Sequence, residues 1–597
     1  MHRSHDALRR SARTIGGAAA ATALAIAGWW SAPAHAQQQL ASKAPIAFDR
    51  YYTYEELLDQ YRTLCAAYPE LLSMKEIGKS VEGRPMVVVT LNNPKTGGEM
   101  TKPAMYIDGN IHGNEIQAAE TVLYTAWYLA SAYGTVGPLT ELVDRSVFYF
   151  VPSANPDGRS YWFSHPNTSN SSRGGLKPVD DDRDGVADED GPEDINGDGE
   201  IGVMWRPDPN GTHKRSELDP NRMEPVTPEP MKDGRIRRGD WSFAGSEGID
   251  NDGDGQINED GPGGYDPNRN WPTDWQPDHV QSGAGDYPLS LPESQAIAAF
   301  VLEHPNIAAG QAYHNAGGMI LRGPGAQDRE SAYGARDRSV YETIGKAGEE
   351  MLPFYRLLVI WSDLYPVRGG FVNWLAESLG AMSFTNELWN DKLILQNGNA
   401  PTDDEMRRWR ERVLFDQTVT PLTEVDHPTL GKILVGGSTK YASRIPPPFM
   451  LEQECHRNFA FTMFHAGEMP QLEFGPTTVK SLGGNLWQVD VEVKNRRLIP
   501  TRTERAAAKG IGLPDRLSID GVDKVVAAGT MRDRFDRSMS EQRFRPSTLR
   551  IEDGVWGRSS RFARFLVEGH EGAQMTLRYV AQKATPIETT VELKATK

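Results

Sequence analysis

Cysteine is almost missing from these 597 residues; only Cys65 and Cys455 occur. Two thiols are too few for a disulfide framework, and whether they pair with each other is left open by the sequence. Long apolar runs are missing after residue 36, which excludes a membrane-spanning helix from the rest of the chain. A basic excess is missing too. Residues 180–200 hold eleven acids against one arginine, and residues 250–260 add five acids and no base, so two short segments carry nearly all of the formal charge of −17. The remainder is almost balanced, which argues against a nucleic-acid partner and against a generally acidic coat.

What is present begins with a processing signal. Residues 1–36 run from a basic start through the small apolar stretch "IGGAAAATALAIAGWW" to an Ala-x-Ala end, the anatomy of a secretory signal peptide. The Arg9–Arg10 pair raises a twin-arginine route. The mature chain is therefore expected to be exported, secreted or periplasmic, with a linker over residues 37–47. A mean hydropathy of −0.54 and 38% hydrophobic residues describe a soluble protein, long enough for two or three domains.

Residues 48–69 show apolar positions at helical spacing. "RPMVVVTL", "PAMYIDG", "SVFYFVPS", "IAAGQAYHNAGG" and "AMSFTNEL" read as strands, with helices over 116–134 and 290–304 between them. Buried strands alternating with helices predict an α/β fold with a largely internal sheet. From about residue 165 to 264 the pattern lapses into Gly, Pro and Asp, too long for a plain loop, so this is a functional insertion or disordered. A proline-interrupted helix closes the α/β part near residue 468. Residues 471–597 then alternate apolar and polar positions between turn signals, which predicts an all-β sandwich.

"MYIDGNIHGNEIQAAE" places His112 and Glu115 three apart where a strand hands over to a helix. A catalytic zinc site takes three ligands from His and Asp/Glu and keeps a position for water. His112 and Glu115 supply two, and His314, at the end of another predicted strand, offers the third. Taken alone, this pair could also be a helix-start carboxylate and a surface histidine.

"HGNE", "NPDG", "MWR", "DPNRNW", "YHNAGG", "YPVRGGFVNW" and "FTNEL" occur in the order seen in zinc metallocarboxypeptidases, and residues 48–468 resemble the pancreatic carboxypeptidase A/B type. The resemblance implies a mixed central sheet flanked by helices and one zinc held by His112, Glu115 and His314. It implies that Glu387 is the general base and acid, and that Arg206 stabilises the oxyanion. Asn268 and Arg269 are implied to grip the substrate's terminal carboxylate, and Tyr365 to fold over it. There are departures: Val203 replaces a second arginine, Arg368 stands before Gly369–Gly370, and Asn373 replaces an aspartate before Trp374. Val372, at the specificity position, points to an apolar or neutral terminal side chain, whereas Arg368 would favour an acidic one.

The acidic segments carry a second pattern. "DDDRDGVADEDG" and "DNDGDGQINEDG" share D-x-D-x-D-G, and "DINGDGEIG" repeats its first half. Alternating oxygen ligands with a glycine at the sixth position suit a calcium loop. The ligands would be Asp180, Asp182 and Asp184; Asp194, Asn196 and Asp198; and Asp250, Asp252 and Asp254. Gly191 and Gly261 stand where an EF-hand has its glutamate, so these are single loops closed by Asp190 and Asp260, and calcium would order the insertion beside the active-site arginine. The bland alternative is a solvated, disordered acidic loop.

The leading expectation is an exported zinc carboxypeptidase acting on peptide or protein C-termini, made active because no pro-segment separates signal from catalytic domain. The alternatives are a peptidase of peptidoglycan stem peptides, a zinc deacylase, and a calcium-dependent binding protein on a peptidase scaffold.

Overall fold

The computed structural model describes residues 40–232 and 236–595. The signal segment 1–36 lies outside the described residues, and no described helix is long and apolar enough to cross a membrane. Helix α1 (Tyr54–Ala67) shows how local sequence starts the fold. The Thr53 hydroxyl accepts from the Glu56 N–H while the Glu56 carboxylate accepts from the Thr53 N–H, so two otherwise orphaned donors are satisfied. Tyr54, Leu57, Leu58, Tyr61 and Leu64 follow at helical spacing and are all buried.

Eight strands form one mixed sheet: β1 (Leu72–Lys79), β2 (Pro85–Leu91), β3 (Ala104–Gly109), β4 (Val147–Val151), β5 (Ile307–Asn315), β6 (Met319–Arg322), β7 (Arg356–Val359) and β8 (Met382–Leu388). Their order is β1-β2-β4-β3-β5-β8-β6-β7. The four central strands β4, β3, β5 and β8 run parallel. β3 and β5 are buried throughout, as interior strands covered on both faces must be. Helices α2 (Gln117–Ala132), α4 (Ala335–Met351) and α6 (Pro448–Gly467) join α1 on one face, while α3 (Pro292–Glu303) and α5 (Phe371–Leu379) cover the other. The parallel strands therefore end together, and the residues that follow them share one edge.

A buried ion pair clamps that edge. Arg159, on the helix Pro156–Ser164, donates to the Glu120 carboxylate at 2.6 Å and to the carbonyl oxygen of Ile116 at 2.9 Å and the Asn110 side chain at 3.1 Å. Those last two residues bracket the turn that carries His112 and Glu115. Arg159→Ala leaves the Glu120 carboxylate buried without its cation, and we expect a loss of about 3–5 kcal/mol, read as a lower urea midpoint. A midpoint within error of the parent would contradict the clamp.

The inserted region is ordered where it is described. Val203–Gly211 pairs with Gly239–Ser246, and a distant hairpin, Val419–His427 with Gly431–Ser438, completes this sheet by setting Leu434 against Trp205 and Val435 against Met204. The hairpin is hard to read in sequence because its first strand contains Pro421 and buries only Leu422 and His427. Edge strand β1 is equally quiet, burying Leu72 alone.

After α6 the chain forms the all-β part. One antiparallel sheet contains Leu486–Asn495, Ser559–Glu568 and Lys524–Met531; the other contains Thr548–Ile551, Asp515–Asp520, Gln574–Ala581 and Ala584–Glu592. Trp487, Val489, Phe565, Leu517, Leu577 and Tyr579 share the core between them. The sandwich is tied to the α/β layers: Lys583 Nζ donates to the carbonyl oxygens of Leu379 and Gly380 at 2.7 and 2.9 Å. Cys65 and Cys455 are both free.

Candidate metal centre

The turn from β3 into α2 is shaped by a close approach of backbones. A Cβ on Gly113 would lie 2.3 Å from the carbonyl oxygen of Ser172, so the position admits glycine alone. The Gly113 N–H donates to the carbonyl oxygen of Arg173 at 3.1 Å, which binds the turn to the chain that enters the insertion.

On this turn His112 and Glu115 face His314 from β5. The Nδ1 atoms of the two histidines are 3.2 Å apart. Glu115 Oε1 lies 2.9 Å from His112 Nδ1, and Oε2 lies 3.0 Å from His314 Nδ1. Oε2 is nonetheless buried without a well-aligned hydrogen bond. Two imidazole nitrogens and a carboxylate turned toward one point, all on buried side chains, form an electron-pair donor set. Zinc suits that set, with a fourth position left for water. Burial raises the Glu115 carboxyl, but His112 and His314 outweigh it and hold the group well below its ordinary value.

Asp266 fixes the ring of His112 from behind. Its Oδ1 lies 3.1 Å from His112 Nε2 and accepts the Asn268 N–H at 2.7 Å, while its Oδ2 accepts from Arg173 Nη2 at 3.1 Å. A carboxylate on the far nitrogen sets the tautomer that points Nδ1 into the site. We expect Asp266→Ala to weaken zinc binding by about 10–100-fold in a chelator competition assay. Unchanged affinity would remove Asp266 from the centre.

Glu387 stands on β8 opposite His314 in register. Burial first and the Glu115 carboxylate second push its carboxyl up to about 7, so it is poised to hold or release a proton near neutrality. A dication at the three-ligand site would bring it down again.

His112, Glu115, His314, Arg173 and Glu387 line a cavity of about 200 Å³. Asn268, Arg269, Tyr365 and Val372 also line it. The Asn268 side-chain oxygen accepts the Phe371 N–H at 2.9 Å, and Arg269 is buried, donating to the Asn268 carbonyl oxygen at 2.9 Å. Tyr365 is 48% exposed at the mouth. Val372, Leu321, Ile360 and Val367 form an apolar floor.

Two expected residues are elsewhere. Arg206 is exposed on the added strand Val203–Gly211, opposite Ser242, and does not line the cavity. The segment "MWR" belongs to the inserted sheet, which draws it away from the centre. Arg368 also does not line the cavity, because its guanidinium is held by Asp274 at 2.7 Å and Asp328 at 2.9 Å. It therefore does not present its charge to a terminal side chain.

Sequence reasoning missed three residues that are present. Arg173 donates to Glu115 Oε1 at 3.4 Å as well as to Asp266. Burial lowers its pKa, but Asp266 and Glu115 more than compensate and keep it firmly charged. Arg444 approaches Glu115 Oε1 at 3.2 Å from the other side and receives the Asn315 side-chain N–H at its carbonyl oxygen at 3.0 Å. Asp266 was visible inside "DPNRNW"; Arg173 was hidden by placing the insertion's start at 165. Nothing in "YASRIPPP" marks Arg444.

Among curated proteins, rat (Rattus norvegicus) carboxypeptidase A2 is 39% identical over 117 residues, 20% of this chain and 26% of that protein. Carboxypeptidase B of Astacus astacus is 36% identical over 114 residues, 19% of this chain and 35% of that protein. The chain thus spans about a quarter to a third of the length of these relatives. Among solved structures, carboxypeptidase A from Helicoverpa armigera covers 72% of this chain and 76% of its own, at 16% identity and a TM-score of 0.43. Residues 471–592 match a model described as Domain of unknown function (DUF8731). The sequence model of the zinc carboxypeptidase family (Peptidase_M14) matches residues 57–194 and 235–411, more than half of the chain, and the chain belongs to that family.

Proposed function

We propose that this protein is an exported zinc carboxypeptidase that removes apolar residues from the C-terminal ends of peptides. The observation that carries this reading is one cavity lined by the His112–Glu115–His314 donor set, Glu387, Asn268 and Arg269, with Tyr365 at its mouth. Zinc, bound by those three side chains, would supply a Lewis acid that acidifies water and polarises the scissile carbonyl. Glu387 takes the proton of the attacking water and returns it to the leaving amine, a task that fits a buried carboxyl in register with a metal ligand and lining the same cavity. Arg173 is placed to meet negative charge that develops on the carbonyl oxygen. Arg269 and Asn268 receive the substrate's terminal carboxylate, for which a planar guanidinium fork is suited. The floor of Leu321, Ile360, Val367 and Val372, with Arg368 tied to Asp274 and Asp328, supports an apolar last side chain. The 1–36 pattern supports export.

The base must be ionised to act, so kcat/KM is expected to fall as pH drops through an apparent pKa at or below about 7. A rate undiminished at pH ~4 would remove a carboxylate base from the mechanism. The specificity is tested with peptides that differ only in their last residue. Phe or Leu ends should be released fastest, and preference for Asp or Lys ends would overturn the apolar-floor argument.

A further inference from the structure

Residues 179–192 and 249–262 fold as two copies of one loop. Asp180 accepts from the Arg183 and Gly185 N–H groups at 2.6 and 3.1 Å, and Asp250 accepts from those of Gly253 and Gly255 at the same distances. The copies then lock together. Asp190 and Asp260 form an antiparallel bridge, with the Asp190 N–H donating to the Asp260 carbonyl oxygen at 3.0 Å. Through it each closing aspartate enters the other loop: Asp260 gathers with Asp180 and Asp182, and Asp190 with Asp252 and Glu259. Asp182, Asp184, Glu189 and Asp252 form a further group across the junction, so the two loops share one bed of carboxylates.

An independent observation points to an ion. Asp260, which gathers with Asp180 and Asp182, is 1% exposed, and its Oδ2 receives no hydrogen bond. Both carboxylate oxygens of Glu189 and Oε2 of Glu259 are likewise shielded from water and without a donor. Carboxylates so placed repel one another and lack solvation, an arrangement that a cation relieves. So many gathered carboxylates suit calcium, which takes about six to eight oxygen ligands, rather than magnesium, which keeps several of its waters. The third loop, Asp194–Asn196–Asp198, has the same first turn, the Asp194 carboxylate accepting the Gly197 and Gly199 N–H groups at 2.7 Å. The nearby Glu247 carboxylate is occupied by the N–H groups of Ile195, Asn196 and Gly202.

The bed is joined to the metal centre by its own chain ends. The first loop begins shortly after Arg173, and the second ends shortly before Asp266. Between them the two segments lie flush: a Cβ on Gly174 would be 2.2 Å from the carbonyl oxygens of Gly263 and Tyr265, and the Lys177 N–H donates to the Tyr265 hydroxyl at 3.0 Å. We propose that the paired loops bind two calcium ions, and that these ions set the positions of Arg173 and Asp266 against His112. The binding stands on the loops alone; its effect on turnover rests on the function proposed above.

The test uses the full chain, stripped of metal on a chelating resin and reloaded with one zinc. Calorimetric titration with CaCl2 should give two ions per chain, and about 1 mM calcium should raise Tm by roughly 5 °C or more, with little response to MgCl2. Neither heat nor a Tm shift at about 5 mM CaCl2 would overturn the sites. The Asp190→Asn/Asp260→Asn variant should lose the calcium response while keeping one zinc. The wild-type titration decides even where that variant does not fold. Calcium should also tighten zinc binding by about tenfold, and zinc should tighten calcium equally. Equal zinc affinity with and without calcium would overturn the coupling. Because stoichiometry, Tm and zinc affinity are read without substrate, failure here is distinct from failure of the carboxypeptidase reading.

Discussion

Replacing Glu387 by glutamine is expected to lower kcat by about 10³–10⁴-fold while KM and zinc content hardly move. The change keeps the shape of the side chain and removes its ability to take a proton. Glu387 lies on β8 in register with His314 on β5, so sheet pairing and not loop chance sets the separation of base and metal ligand. The three ligands are untouched, and so are Asn268 and Arg269, to which the proposed function assigns the peptide's terminal carboxylate. A loss of binding with kcat preserved would assign Glu387 to substrate grip instead. A loss of zinc would show that it supports the ligands.

The second large effect separates two arginines. Arg173→Ala is expected to reduce kcat by about 10²–10³-fold, the range for removing one donor from a developing oxyanion. Arg206→Ala should leave kcat and KM within about twofold, because Arg206 is exposed on the added sheet, away from the cavity. Arg173 also contacts Asp266 and Glu115, so zinc content has to be measured alongside. Arg173→Lys retains the charge but loses the fork, and partial recovery of kcat at full zinc content would place the charge itself at the reaction. The reverse pattern, with Arg206 essential and Arg173 neutral, would restore the reading drawn from "MWR".

The contrast between these arginines shows how far the sequence could be read. His112, Glu115 and His314 were legible because they sit in short motifs where a strand ends or hands over to a helix, and "FTNEL" placed Glu387 on the strand beside them. The central strands were legible for a related reason: strands covered on both faces, such as β3 and β5, carry mostly small or apolar residues. Arg173 and Arg444 obey no such local rule. Arg173 reaches the site because Gly113 and Gly174 let two backbones touch, and Arg444 because the hairpin Val419–Ser438 pairs with a strand more than 200 residues earlier. Both placements arise from long-range packing that no window of sequence contains. Arg368 fails for the same reason, since its partners Asp274 and Asp328 come from different parts of the chain.

The central claim is that this cavity cleaves the last peptide bond of a chain with a free carboxylate. The most direct measurement is a mass-spectrometric time course with zinc-loaded protein on one apolar-ended peptide, supplied as the free acid and as its C-terminal amide, with Glu387→Gln in parallel. We expect stepwise loss of single residues from the free acid, near silence on the amide, and none with the variant. Equal cleavage of acid and amide, internal cleavage, or turnover that survives Glu387→Gln would contradict the claim.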